Sequence, residues 1–500
     1  MEASGQSRRG RNSTPSIESD DTISKTGLPS PPLLSPEETK RLYRKVDIRL
    51  IPILALMYLF AGVDRGNIGN ARLQGLESQL GLVGDQFNIA LTMFFIPYCL
   101  FECPSNLVIK RFLPSRWLPG ITILWGAITA LMGLVKNYPQ LVGVRVCLGI
   151  AEAGLFPGVV YYLTLWYPRS MLQSRIGFFF GAGSLAGAFS GLWAYGISFM
   201  SGAGGLQSWS WIFILEGSAT VLVGILGLFI LPDFPYGVSF LTLEEQAYIL
   251  HNRGSANSDV GEDEHFSSRH VWDALKDWQV WLQILVYFCI VGPLYGIALF
   301  LPTIINGFGY STAVSQLLTI PPYIVATILM VTFSIWSDAV RKRSPFILAG
   351  LCMLVVGYSI NISAAPAGVK YFGTFLCVGG AYAAFPGAVA WLGNNLSGHY
   401  KRAVGMALQI GIGNFGGAVA SNVYRSQDEP RYLVGHGIML MFVGIGLITV
   451  PTVAYIYHRT NQRRAAMSIQ NEDSDSGTRR DLDRESRELG DKASTFRYIL

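Results

Sequence analysis

Charged side chains are scarce in this sequence of 500 residues. Asp, Glu, Lys and Arg together make up 14% of it, against roughly a quarter in soluble globular proteins. That shortage excludes an ordinary water-soluble enzyme, and no nucleic-acid partner is expected. The six cysteines (Cys99, Cys103, Cys147, Cys289, Cys352, Cys377) all lie in apolar runs and form no CxxC pair. A disulfide framework, a redox motif and a thiolate metal site are thereby excluded. GxxxxGK[ST], HExxH and GxSxG are also missing, so no ATP motor, metal centre, cofactor or hydrolase site is expected. The N-terminus has no apolar signal region, which leaves the first membrane helix to act as the targeting element.

What is present is apolar. Half of the residues are hydrophobic, arranged in many runs of about 20, the length that crosses a bilayer as a helix. Glycine is abundant at 55 residues, as where membrane helices pack closely. The hydrophobic runs predict twelve spans, at 48–70, 86–109, 117–135, 139–166, 173–199, 211–231, 279–304, 314–336, 345–363, 370–392, 403–424 and 433–457. The fold class is therefore an all-α polytopic membrane protein with two six-helix bundles, 48–231 and 279–457. Residues 1–47 read as a disordered tail with a short basic helix from near Glu37, and 458–500 read as a second disordered tail. A polar loop, 232–278, separates the halves. Trp272, Trp278 and Trp281 at its end suggest a helix along the membrane interface.

Lys and Arg placement sets the orientation. Lys110, Arg111, Arg116, Arg169, Arg175, Arg341, Lys342, Arg343, Lys401 and Arg402 fall on one side, together with the basic residues flanking both tails. The other side has only Arg72, Lys136, Lys370, Arg425 and Arg431. Both termini are therefore expected to be cytoplasmic, and a plasma-membrane location is expected.

The halves repeat one another. Phe156-Pro157-Gly158 matches Phe385-Pro386-Gly387, and the downstream GAGSLAGAFSG from Gly181 matches GIGNFGGAVAS from Gly411. Duplicated halves form a midplane site in many transporters. The alternative is that FPG only kinks each span. With FPG aligned, Glu152 falls opposite Ala381 and Arg145 opposite Thr374, so the intramembrane charges belong to the first half.

Arg145 and Glu152 stand seven residues apart, close to two turns, which puts them on one helix face roughly 10 Å apart. Charges in hydrocarbon point to function by default, although an ion pair that merely fastens the helix is the alternative. In VDRGNIGNA, Asp64 and Arg65 lie at the same depth, roughly 20 Å from the cytoplasmic end. An interface charge pair is the other reading there. A carboxylate beside an arginine releases that partner when protonated, which couples proton uptake to anion binding. Asp64, Glu152 and Arg145 are thus the expected proton-coupling residues and Arg65 the anion-binding one. Tyr98 and Glu102 stack four residues apart, Tyr98 as a hydrogen-bond donor to substrate or as filler, Glu102 as part of a gate. In the second half, Trp391 and Asn414 are the expected substrate contacts. Glu216 reads as a packing or capping residue near the outer surface.

DRGNIGNA, RVCLGIAEAGLFPGVVYYLTLWYPR and NNLSGHYKRAVGMALQIGIGNFGG together resemble the anion:cation symporters of the major facilitator superfamily. The resemblance covers about residues 40–460 and lies nearest the fungal allantoate-permease-like branch, which includes nicotinate and pantothenate permeases. It implies two bundles, alternating access and proton-coupled transport of organic anions. It also implies proton-coupling and anion-binding roles for Asp64, Arg65, Arg145 and Glu152, and equivalents of family residues at Tyr98 and Asn414. Departures exist. Lys110 stands where an acid is expected in the loop after the second span, while Asp338 keeps the acid after the eighth. Lys110, Arg111, Asp338 and Arg341 are the expected gating residues with Glu102. The first reading is a monomeric proton symporter importing a small organic carboxylate. An exporter of an acidic metabolite and a non-transporting nutrient sensor are the alternatives.

Overall fold

The computed structural model describes residues 32, 34–109, 112–258, 268–397, 399–429, 431–472, 491, 493 and 496–500. Among these, every regular element is helical, and each expected span is matched by a helix. Spans one to six are Pro36–Leu73, Gln86–Val108, Pro114–Met132, Tyr138–Trp166, Arg169–Ser198 and Ser208–Ile230. Spans seven to twelve are Trp278–Asn306, Thr312–Val340, Ser344–Ile362, Ala367–Asn395, His399–Ala420 and Leu433–Glu472. Nine helices among the described residues are long and apolar enough to cross a membrane, and Val404–Ala420 is a shorter apolar one.

Local chemistry sets the ends. Ser35 caps span one: its hydroxyl accepts from the Glu38 N–H at 3.3 Å while Glu38 accepts from the Ser35 N–H at 2.8 Å. Pro36 follows at the first helical position, where its missing N–H costs nothing. Span one therefore starts well before residue 48, with Leu42, Tyr43 and Val46 buried, and the expected tail 1–47 is ordered helix from Pro36 on. Span four breaks after Glu152, where Tyr138–Glu152 gives way to Leu155–Trp166. Pro157 causes this, because it has no N–H for the Ala153 carbonyl and its ring crowds that oxygen. The matching Pro386 sits inside an unbroken span ten, so the repeat is a true break only in the first half.

Small residues bring the helices together. A Cβ on Gly126 of span three would lie 2.9 Å from the Gly217 carbonyl of span six. Across the bundles, span one packs on span seven, span two on span eleven and span five on span eight. At the face opposite the termini these contacts are closed. Arg72 pairs with Glu77 at 3.0 Å and with Glu429 at 3.3 Å. Asn88 donates to the Tyr424 carbonyl at 3.0 Å, Asn422 to Thr92 at 2.7 Å and Gln74 to Gln316 at 3.1 Å. At the terminus-bearing face the bundles part around a cavity of about 640 Å³. Thr164, Phe180, Phe333, Asp338, Arg343 and Pro386 are among the residues that line it.

Between the halves, helix Leu243–Ser258 docks on span one through Lys45 and Glu245, 2.5 Å apart. Helix Ser268–Lys276 precedes span seven, and Trp272, Trp278 and Trp281 are exposed.

The expected disorder of 458–500 is corrected for the residues described. Span twelve stays helical to Glu472, and Phe496–Leu500 lies against the second bundle. The Ile499 carbonyl accepts from Trp391 and Asn395, the Ile499 N–H donates to Asn395, and Tyr498 exchanges two bonds with Asn461. Lys401 contacts Asp277 at 2.6 Å and Asp491 at 2.7 Å. A polar composition concealed this docking because its partners lie roughly 30 to 100 residues away in sequence, beyond any local pattern.

Candidate functional site

Span one carries the site on two faces. Asp64 points into its own bundle, where the Trp125 indole of span three donates to its Oδ2 at 2.9 Å. Asn67, one turn on, donates to Glu216 Oε2 of span six at 2.6 Å. The Asn67 amide is held in that orientation because its oxygen accepts from Ser190 of span five at 2.9 Å and from Asn70 at 3.3 Å. Asn70 also donates to Ser190 at 2.8 Å. Every member of this network is buried.

Arg65 points the other way, toward the gap between bundles. Its guanidinium pairs with Glu152 of span four at 2.6 Å. It donates to the Tyr295 hydroxyl of span seven at 3.2 Å and lies 4.9 Å over the Tyr98 ring of span two. The Arg65 side chain keeps 18% exposure while Glu152 keeps 1%, so the arginine is the accessible half of the pair. Arg145 lies beside them, 6.0 Å from the Phe94 ring and 2% exposed. Its Nε and Nη2 have no hydrogen-bond partner. The ion pair of Glu152 is made by Arg65 of span one, not by Arg145 of its own helix.

The structure thus brings together Asp64, Arg65, Tyr98, Arg145 and Glu152. Glu102, an expected gate residue, meets Asn414 of span eleven across the bundle interface. Trp391 is elsewhere: it is buried, its ring meets Tyr457 edge-on and its N–H holds Ile499. Asp338 pairs with Arg343, and Arg341, the other gating residue expected here, ends span eight in a left-handed conformation. Lys110 and Arg111 lie outside the described residues.

Two features escaped the sequence reading. Glu216 sits two turns inside span six, fully buried and bonded to the span-one asparagine. Its depth of eight residues from Ser208 was the available signal. The second feature is an aromatic layer between the Arg65 cluster and the cavity. Tyr58, one face along from Arg65, meets Phe156 and Phe180, and Phe180 meets Phe385 of the other bundle at 5.3 Å. Phe180 lines the cavity as well, so this layer borders that opening.

The sequence profile of the Major Facilitator Superfamily matches residues 54–421. An uncharacterized transporter of Schizosaccharomyces pombe is 34% identical over 97% of both chains. A high-affinity nicotinic acid transporter of Saccharomyces cerevisiae is 33% identical over 89% of this chain and 82% of its own length. Among solved structures, a bacterial homolog of the human lysosomal transporter Spinster, in an inward-facing and occupied conformation, has a TM-score of 0.62. It is 15% identical and covers 80% of this chain and 95% of its own. The xylose transporter XylE of E. coli, in a partially occluded inward-open conformation, has a TM-score of 0.59 at 16% identity, over 81% and 96%. Those two show the fold alone.

Proposed function

We propose a function from one premise: this chain belongs to the Major Facilitator Superfamily, and membrane transport is its work. Our reading is an anion:cation symporter of that superfamily that moves a small organic carboxylate with protons by alternating access. The observation that carries it is the Arg65–Glu152 pair at 2.6 Å, set between the bundles with unpaired nitrogens of Arg145 alongside.

The mechanism follows from charge. While Glu152 is ionised, it occupies Arg65 and competes with any incoming anion. Protonation of Glu152 frees the guanidinium, whose planar fork grips a carboxylate through two bonds. Arg145 adds a second positive group, and the Tyr98 and Tyr295 hydroxyls supply neutral donors. Loss of the proton restores the ion pair and expels the anion. With the termini cytoplasmic, the present conformation is open to the cytoplasm below the aromatic layer and sealed outside by Arg72, Glu429 and their neighbours. Rocking of the bundles would exchange these closures.

The test is uptake of radiolabelled carboxylates, nicotinate included, into proteoliposomes under an imposed proton gradient. Accumulation that collapses with the gradient supports the reading. Binding without flux would favour a sensor, and flux that runs only outward would favour an exporter.

A further inference from the structure

We propose that Asp64 and Glu216 form a single proton-holding pair, sharing one proton in this conformation, so that Glu216 is a second carboxyl of the proton site. The proposal rests on the symporter reading for its purpose but not for its test.

The geometry points to a shared proton. The two side chains are in hydrogen-bonding contact with each other. Asp64 Oδ1 and Glu216 Oε1 are the oxygens left without any other donor, because Trp125 and Asn67 serve Oδ2 and Oε2. An ionised carboxylate only accepts, so two of them meet at bonding distance when a hydrogen lies between. The Asn67–Ser190–Asn70 clamp fixes the amide whose N–H faces Glu216, which keeps the second carboxyl aimed at the first.

Charge counting gives the same answer. The charged groups around the pair are Arg145 and Glu152 of span four, with Arg65 beyond Glu152; spans three and five contribute neutral Trp125 and Ser190. The cluster around the pair holds the partly buried Arg65 and the buried Arg145 against the carboxyls Asp64, Glu152 and Glu216, with the buried Glu102 outside it, toward Asn414 of the second bundle. One proton makes it neutral, and buried charge is tolerated when it is balanced. Glu152 is engaged by Arg65, so the proton belongs with the other two acids. An arriving carboxylate then unbalances the cluster by one charge and calls for one further proton, on Glu152.

Infrared difference spectroscopy of the purified full chain in lipid nanodiscs tests this without any substrate. At neutral pH the wild-type protein should show a protonated-carboxyl stretch that moves in D₂O. Asp64→Asn and Glu216→Gln should each abolish it. A stretch that persists in either variant, or is missing from the wild type, overturns the pair. If those variants do not fold, ¹³C-carboxyl labelling of Asp and of Glu in separate wild-type preparations decides. A shared proton makes the band respond to both labels; response to one alone overturns the proposal.

Discussion

Arg65 and Glu152 neutralise each other, Glu152 fully buried and Arg65 partly open to the gap between the bundles, and two substitutions separate their roles. Glu152→Gln removes the titrating group while keeping its size. It should abolish gradient-driven accumulation yet leave substrate exchange measurable by counterflow; undiminished accumulation would reject the role. Arg65→Lys keeps the charge but loses the planar fork, so apparent affinity should fall about tenfold or more, roughly 1.4 kcal/mol. Binding equal to wild type would reduce Arg65 to a generic positive charge. The identity of these residues was legible because charges in an apolar run stand out. Their pairing was not. Helical spacing orders residues within span four, and the partner of Glu152 comes from span one, whose rotation no local pattern records. Glu216 was hidden for a related reason, since its depth depends on where span six begins.

The spans themselves were legible, as twenty-residue apolar runs leave little choice in a bilayer. The breaks and contacts between them were less so. FPG marked both halves, yet only Pro157 interrupts its helix, because span ten remains continuous past Pro386. The closure opposite the termini was invisible, being made of polar residues from loops and helix ends far apart in the chain. It can be tested between spans two and eleven, where Asn422 and Thr92 bond at 2.7 Å through short side chains. The double variant Thr92→Cys/Asn422→Cys should form a disulfide on oxidation and stop flux, with activity returning on reduction. Unimpaired flux in the cross-linked protein would mean that this contact stays closed throughout the cycle.

Across the whole molecule the bundles are unequal partners. The first holds the acids and arginines, and the second meets them with Tyr295 and, through Glu102, Asn414. Asn414→Ala should therefore change the ranking of carboxylates while protons moved per substrate stay constant in paired flux measurements. A changed ratio with unchanged preference would reverse the assignment of the halves. Among the described residues of the C-terminal segment, Asp491 and those from Tyr498 to Leu500 bond to the second bundle. Removal of 491–500 strips partners from buried Trp391 and Asn395 and from Asn461, and each unsatisfied group costs about 1–3 kcal/mol. The thermal midpoint should fall by roughly 5 °C or more, as followed by intrinsic fluorescence; an unchanged midpoint would make the docking incidental.

That docked segment also imposes an order on biosynthesis. Chains fold as they are made, amino-terminal units first, and spans seven to twelve enter the bilayer before residues 491–500 exist outside the ribosome. For that interval Trp391, Asn395, Asn461 and Arg464 lack the bonds that residues 491 and 496–500 supply. The second half of the nascent protein is therefore the last to acquire its bonding partners.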